Sequence, residues 1–384
     1  METGVDKGAS AITFISSDRN QGPLNGDAGY AVSQLRAFVC ELISVPPAYA
    51  TVLPTFLVLF KLIHCAGISA LYGGYMISRR KILAGGMLMC AGLRGATAQT
   101  VLNSEGSTSP KLKAPMHCCD SHHHIYDSRF PVSPHWRTGF PKGATANDYR
   151  LLQHKLGIAR HVIVQPSTYG SDNRCLLDAL KQFGAEARGI AVIDDDASME
   201  QLQMMDKLGV RGVRVNFLTP QSWGITTIER LRKTVEHIAP FGWHVQILMS
   251  GDQIAQHESE LASLPVPLVI DHLGRIPQPD GIDHLGARAI LRLLQKGNTW
   301  IKLSEPYADT KLGAPDYADT SKLARTYIEA APERALWGSD WPHPTEKIKP
   351  DDALLFDLLA SWAPDVSVRE KILVENPATL FGFI

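Results

Sequence analysis

Residues 116–131 read MHCCDSHHHIYDSRFP. A short apolar start runs into Asp120-Ser121-His122-His123-His124, a sequence too polar for the interior of a core strand. Side chains two apart on a strand share a face. His122 and His124 therefore point together, with His123 turned away. Two imidazoles on one face can chelate a metal ion or polarise a carbonyl. A surface cluster would show the same three letters, so the meaning of the stretch depends on the rest of the chain.

Short apolar, β-rich runs then alternate with helical ones. The strand candidates are residues 116–120, 161–165, 189–193, 212–217, 244–249, 268–271, 300–303 and 335–337. Amphipathic runs at 173–183, 199–208, 228–238 and 288–295 lie between them. Continuous apolar strands separated by helices imply parallel βαβ units buried on both faces. Eight such units predict an α/β fold, the (β/α)8 TIM barrel. An open doubly wound sheet would want a Gly-rich phosphate loop after its first strand, and none is present.

In a barrel the chemistry sits at the C-terminal ends of the strands. Those ends carry Asp120 to His124, Gln165 to Tyr169, Arg214 and Asn216, His244 and Gln246, Asp271 to Arg275, Ser304-Glu305, and Gly338 to His343. Asp340 follows the last strand. It could cap a turn, or face His122 and His124 across the mouth as a general base. His272 could be a core histidine or a member of the same site. Arg214 lies between Val213 and Val215, so it needs an anionic partner. That partner could be a structural carboxylate, or a substrate carboxylate held by the guanidinium fork.

The 384 residues are 45% hydrophobic and 20% charged, with a formal net charge of -1. The chain is therefore globular rather than disordered. It offers no basic field or run for nucleic acid. Six Cys do not make a disulfide scaffold. Three of them, Cys118, Cys119 and Cys175, fall in the barrel region, and no structural disulfide is expected there.

Residues 76–98, MISRRKILAGGMLMCAGLRGATA, have the three parts of an export signal: basic Arg79 to Lys81, an apolar run from Ile82 to Leu93, and the small-x-small site Ala96-Thr97-Ala98. The adjacent Arg79-Arg80 resembles a twin-arginine signal. The run is too short to span a bilayer, which takes roughly 20 residues. A periplasmic or exported mature protein, delivered by the export machinery and without stable membrane insertion, is expected. Residues 1–75 then read as an upstream extension or an apolar segment, 99–115 as a linker, and 116–384 as the barrel.

From His117 onward the chain resembles the amidohydrolase superfamily. The nearest branch is the one that includes 2-pyrone-4,6-dicarboxylate lactonase and the sugar-acid lactone isomerases. The matching pieces are DSHHHIYDSRFP, GATANDYRLLQHKLGIARHVIVQPSTYGSDNRCLLDAL, RGIAVID, GVRGVRVNF, WHVQI, LVIDHLGR, ALWGSDWPHP and VENPATLFGF. The resemblance implies a barrel acting on a lactone or similar cyclic ester. It matches His122 and His124 to the family's strand-1 histidine pair, His272 to its strand-6 histidine and Asp340 to its strand-8 general base. Arg214 would hold a substrate carboxylate, with Tyr169, Asn173, His244 and Gln246 as further candidates for substrate contact.

Superfamily members often bind one or two divalent ions, using a strand-4 Lys when there are two. Residues 209–217 contain no Lys, which argues against a two-metal centre. Two alternatives stay open: one zinc on His122, His124 and Asp340, completed by His272 or His244, or a metal-independent site. The expected function is hydrolysis of an anionic lactone of an organic or sugar acid. Lactone isomerisation and metal-dependent decarboxylation use similar constellations. A non-catalytic exported binding protein would not need a base beside water.

Overall fold

The computed structural model describes residues 100–384. The readings of residues 1–75 and of the export signal at 76–98 lie outside the described residues. Eight parallel strands occur in chain order: β1 (Cys119–His123), β2 (Arg160–Val164), β3 (Ala187–Ala191), β4 (Val210–Asn216), β5 (His244–Leu248), β6 (Leu268–Ile270), β7 (Thr299–Leu303) and β8 (Ala335–Trp337). They form one sheet in the order β1 to β8. The last strand returns to the first: Asp340 N–H donates to His122 O at 2.8 Å, and His124 N–H to Trp341 O at 2.8 Å. The fold is the predicted (β/α)8 TIM barrel.

The principal helices around the sheet are α1 (Ala146–Leu156), α2 (Arg174–Phe183), α3 (Met199–Lys207), α4 (Ile228–Ile238), α5 (Leu285–Gln295), α6 (Ala318–Ala330) and α7 (Asp352–Trp362), the last following β8, with α8 (Asn376–Phe381) near the C-terminus. Their starts are written locally. Thr145 caps α1 and Ser198 caps α3, each in a reciprocal box with the residue three further on, Asp148 or Gln201. The apolar faces of these helices bury Leu152, Leu176, Leu180, Leu231, Val235, Ile290 and Leu293 against the sheet. Inside the barrel, a second apolar cluster joins Val162, Val164, Ile190, Val269, Trp300 and Leu336 to Phe381 and Phe383.

The seam between β8 and β1 explains two small residues. A Cβ at Gly338 would stand 2.7 Å from His122 Cβ, so only glycine lets the strands close there. Ser339 donates both its N–H and its hydroxyl to the Asp120 carboxylate, at 2.9 and 2.6 Å.

Two sequence expectations shift. β1 begins three residues later than expected, because Met116 is exposed and the ladder to β2 starts at Cys119. Residues 100–115 are irregular, as a linker would be, but they are tied to the barrel. Leu102 O accepts from the Trp341 indole N–H at 2.8 Å, and Leu112 N–H donates to Asp357 at 2.8 Å. Cys118, Cys119 and Cys175 are buried free thiols. No helix among the described residues is long and apolar enough to cross a membrane.

Candidate active site

The inward face of the strands turns polar above the apolar layer. His122 on β1, Arg214 on β4, Gln246 on β5 and Lys302 on β7 are all buried. Beyond the strand ends, His272, Glu305 and Asp340 follow β6, β7 and β8, each with a left-handed backbone at φ 49°, 51° and 62°. Such a conformation costs on the order of 1–3 kcal/mol for a non-glycine residue, and it clusters at functional sites. Here three successive strand ends use it to bring one side chain each into the same cluster.

Asp340 is the centre of that cluster. Its Oδ1 lies 3.6 Å from His122 Nε2, 3.5 Å from His124 Nε2 and 4.0 Å from His272 Nε2. Its Oδ2 accepts from the Tyr307 hydroxyl at 2.9 Å. His124 turns Nδ1 onto Val164 O at 2.8 Å, and His272 turns Nδ1 onto the Ser304 hydroxyl at 2.9 Å. His123 points the other way, as its spacing requires. It stacks on Tyr149 and bonds His161 at 2.8 Å.

Burial dominates the electrostatics. It lowers His122, aided by the Lys302 charge, and pushes His124 down to about 4. It lowers His272 too, with His122 adding to the effect. All three imidazoles are therefore neutral at neutral pH. Burial raises Asp340, and it raises Glu305 well above the carboxylate range, with the Asp340 charge as the second cause. The two acids thus hold one proton more readily than none.

Arg214 has the structural carboxylate of one sequence alternative within the protein itself. Its Nε donates to Asp271 Oδ2 at 3.0 Å, so a structural carboxylate exists. Its two terminal nitrogens have no hydrogen-bond partner among the described residues, which leaves the fork's end for an anion. Burial opposes ionisation of Asp271, but the charges of Arg214 and Lys302, with the Gln246 hydrogen bond, outweigh it and hold the acid below its usual range.

Three other sequence candidates stand apart from the cluster. His244 begins β5, at the opposite end of the strand, and rests edge-on against Phe381 with ring centroids 5.4 Å apart. Tyr169 spends its hydroxyl on the backbone of Asp127, accepting from N–H at 2.8 Å and donating to O at 3.1 Å. Asn173 likewise brackets Val192, donating to its O at 2.7 Å and accepting from its N–H at 3.1 Å. The last two order loops rather than face the cluster. Gln246 is in the polar layer, bonded to Asp271 and Lys302.

Lys302 and Tyr307 are absent from the sequence candidates, and Glu305 enters only as part of the strand-7 end. Lys302 had a usable signal: like Arg214, it is a cation between two apolar strand residues, Ile301 and Leu303. Glu305 and Tyr307 lie in irregular chain after β7, where no periodicity points a side chain.

Three overlapping groups bring ligand atoms within 4.8 Å of one another: His122, His124 and Asp340; His122, Asp271 and His272; and His272, Glu305 and Asp340. They could hold a metal ion. The donor set fits, since His and Asp suit a divalent ion. Moreover, the Nε2 of His122 is buried with no hydrogen-bond partner.

A family model described as Amidohydrolase matches residues 119–383. The chain is 34% identical over 285 residues to 2-pyrone-4,6-dicarboxylate hydrolase of Comamonas testosteroni, covering 71% of this chain and 93% of the relative. It is 30% identical over 279 residues to D-galactarolactone isomerase of Agrobacterium fabrum, covering 71% and 94%. The solved structure of a probable 2-pyrone-4,6-dicarboxylic acid hydrolase from Acinetobacter baumannii, with citric acid bound, superposes with a TM-score of 0.62 at 25% identity, over 70% of this chain and 100% of the other. With the histidine pair, the strand-6 histidine and the strand-8 aspartate assembled at one barrel mouth, the chain belongs to the amidohydrolase family.

Proposed function

We propose that the protein hydrolyses a lactone that carries a carboxylate. The observation that supports this most is the position of Asp340 Oδ1 among three neutral imidazoles, 3.5 to 4.0 Å away. A carboxylate held there can take a proton from water while the histidine cluster polarises the ring carbonyl. The free end of the Arg214 fork would bind the substrate carboxylate in a bidentate manner. Water adds to the ring carbonyl, the ring C–O bond breaks, and Asp340 returns its proton to the leaving alkoxide. The names of the Comamonas hydrolase and of the citrate-bound relative agree with an anionic lactone.

His122, His124 and Asp340 would hold a divalent ion, zinc by its donor set, with His272 as the nearest further imidazole. Such an ion would supply Lewis-acid polarisation of the carbonyl. The second reading is lactone isomerisation, favoured by the similarity to a D-galactarolactone isomerase.

A panel of carboxylated lactones, with and without added zinc and with products read by NMR, separates these readings. Ring-opened acid supports hydrolysis, a shifted ring supports isomerisation, and no turnover of any lactone sinks both. Asp340→Asn should abolish turnover while ligand binding persists. We also propose export by way of residues 76–98. A mature N-terminus near Gln99 supports it, and recovery of peptides from residues 1–75 in the mature protein contradicts it.

A further inference from the structure

Lys302 is fully buried in the barrel, on β7, and no step of the proposed hydrolysis uses it. An ammonium has three donors and no acceptor. Two acceptors lie within hydrogen-bond distance, Gln246 Oε1 at 2.6 Å and His122 Nδ1 at 3.2 Å, with Asp271 Oδ1 further off at 3.9 Å. The orientation of Gln246 is set from its other end, where Nε2 donates to Asp271 Oδ2 at 3.2 Å. The same oxygen accepts from Arg214 Nε at 3.0 Å. Every bond in this chain therefore has one direction. Arg214 and Gln246 donate to Asp271, and Lys302 donates to Gln246 and to His122.

We propose that Lys302 is a positioning residue that holds His122 as the Nε2–H tautomer, so that His122 is a donor to the ring carbonyl while His124 is an acceptor. A neutral imidazole carries one proton. With Nδ1 accepting from Lys302, that proton sits on Nε2, the buried nitrogen that has no partner in the protein. The competitor for Nδ1 is Asp271 Oδ1 at 3.4 Å, but that oxygen forms no hydrogen bond. His124 has the opposite arrangement. Its Nδ1 faces a backbone carbonyl, which can only accept, so its Nε2 keeps the lone pair. The two histidines of the strand-1 pair, equivalent by spacing, are thus opposite in hydrogen-bond polarity. In this form an ion can be ligated by His122 Nε2 only after its proton moves to Nδ1 against Lys302, so Lys302 weakens metal binding at the site.

The use of the donor on a ring carbonyl rests on the lactone reading, whereas the tautomer does not. The test is long-range proton–nitrogen NMR of the full chain labelled with 15N-histidine, with His122 assigned by its loss in His122→Gln. At neutral pH the expected wild-type spectrum shows His122 protonated at Nε2 and His124 at Nδ1. A His122 signal protonated at Nδ1 overturns the proposal. In Lys302→Met, Asp271 should capture Nδ1 and the tautomer should switch. The variant's kcat should then fall about 100-fold, the scale of losing one oxyanion donor, with KM nearly unchanged. Lys302→Arg should retain the wild-type tautomer. Zinc titrated calorimetrically should bind Lys302→Met at least about tenfold more tightly, a difference of about 1.4 kcal/mol, and equal affinity would contradict the opposition to metal. If Lys302→Met does not fold, the wild-type spectrum still decides. A wild-type spectrum as expected, with no lactone turned over, would leave the Lys302 assignment standing and remove the lactone reading.

Discussion

The hydroxyl of Tyr307 donates to Asp340 Oδ2 at 2.9 Å, so the proposed base is held by a residue two positions beyond the acid Glu305. The same hydroxyl lies 2.9 Å from His343 Nδ1, whose other nitrogen lies 3.2 Å from Asp352 at the start of α7. Asp340 thus uses Oδ1 toward the cluster and Oδ2 toward a buried polar chain.

Tyr307→Phe removes a bond that favours the ionised carboxylate. The acid is already raised by burial, and it is raised further without that donor. Because the base works only when ionised, activity rises with pH through its titration. The acid limb of kcat/KM should therefore move to higher pH in the variant, while urea unfolding changes little. A profile unmoved or shifted to lower pH would contradict the role of Tyr307.

Arg214→Lys keeps a cation beside Asp271 but loses the fork. The expected result is a KM raised by about 10- to 100-fold, corresponding to a charge-assisted bond of about 1.5–3 kcal/mol, with kcat nearly unchanged. Steady-state kinetics on a carboxylated and an uncharged lactone check it. The loss should be confined to the carboxylated one.

Acid should weaken the fold through histidines outside the cluster. Burial lowers His123, and pushes His161 and His244 from 6.5 down to about 3. Below about pH 6.5 the unfolded chain takes up protons that the folded chain refuses. Stability is thus full above that pH and is lost progressively as pH falls toward 3. Urea midpoints measured from pH 8 to pH 5 should hold steady at first and then fall. A midpoint that rises on acidification below pH 6.5 would refute this account.

Asp120 ties the barrel's ends together. It accepts from Ser339 N–H and hydroxyl, from His122 N–H at 3.1 Å and from the Tyr149 hydroxyl at 2.9 Å. Asp120→Ala leaves these donors without a partner, each at a cost of about 1–3 kcal/mol. Urea denaturation should show a loss of at least about 2 kcal/mol. Wild-type stability in the variant would mean that the seam does not depend on the carboxylate.

Much of this protein is legible from spacing alone. A strand has a period of two, so His122 and His124 must share a face and His123 must leave it, whatever the rest of the chain does. Apolar runs separated by amphipathic helices require parallel units, and eight of them close on themselves. Those local rules place His122, His272, Arg214 and Asp340 at the mouth. They also mark His244 as inward-facing, but as the first residue of its strand it belongs to the opposite end, and in the structure it lies beneath the polar layer against Phe381.

What only the tertiary structure decided is which groups meet and which way each hydrogen bond runs. Lys302 and His122 are 180 positions apart, and Asp120 and Ser339 219 apart. Barrel closure brings such pairs together, and no periodicity within a strand can specify them. Partner choice then fixes protons: a lysine beneath His122 and a backbone carbonyl beside His124 give opposite tautomers to two residues that local sequence makes equivalent. The physical reason is that a strand dictates the direction of a side chain, whereas hydrogen-bond polarity belongs to whatever the fold sets opposite it.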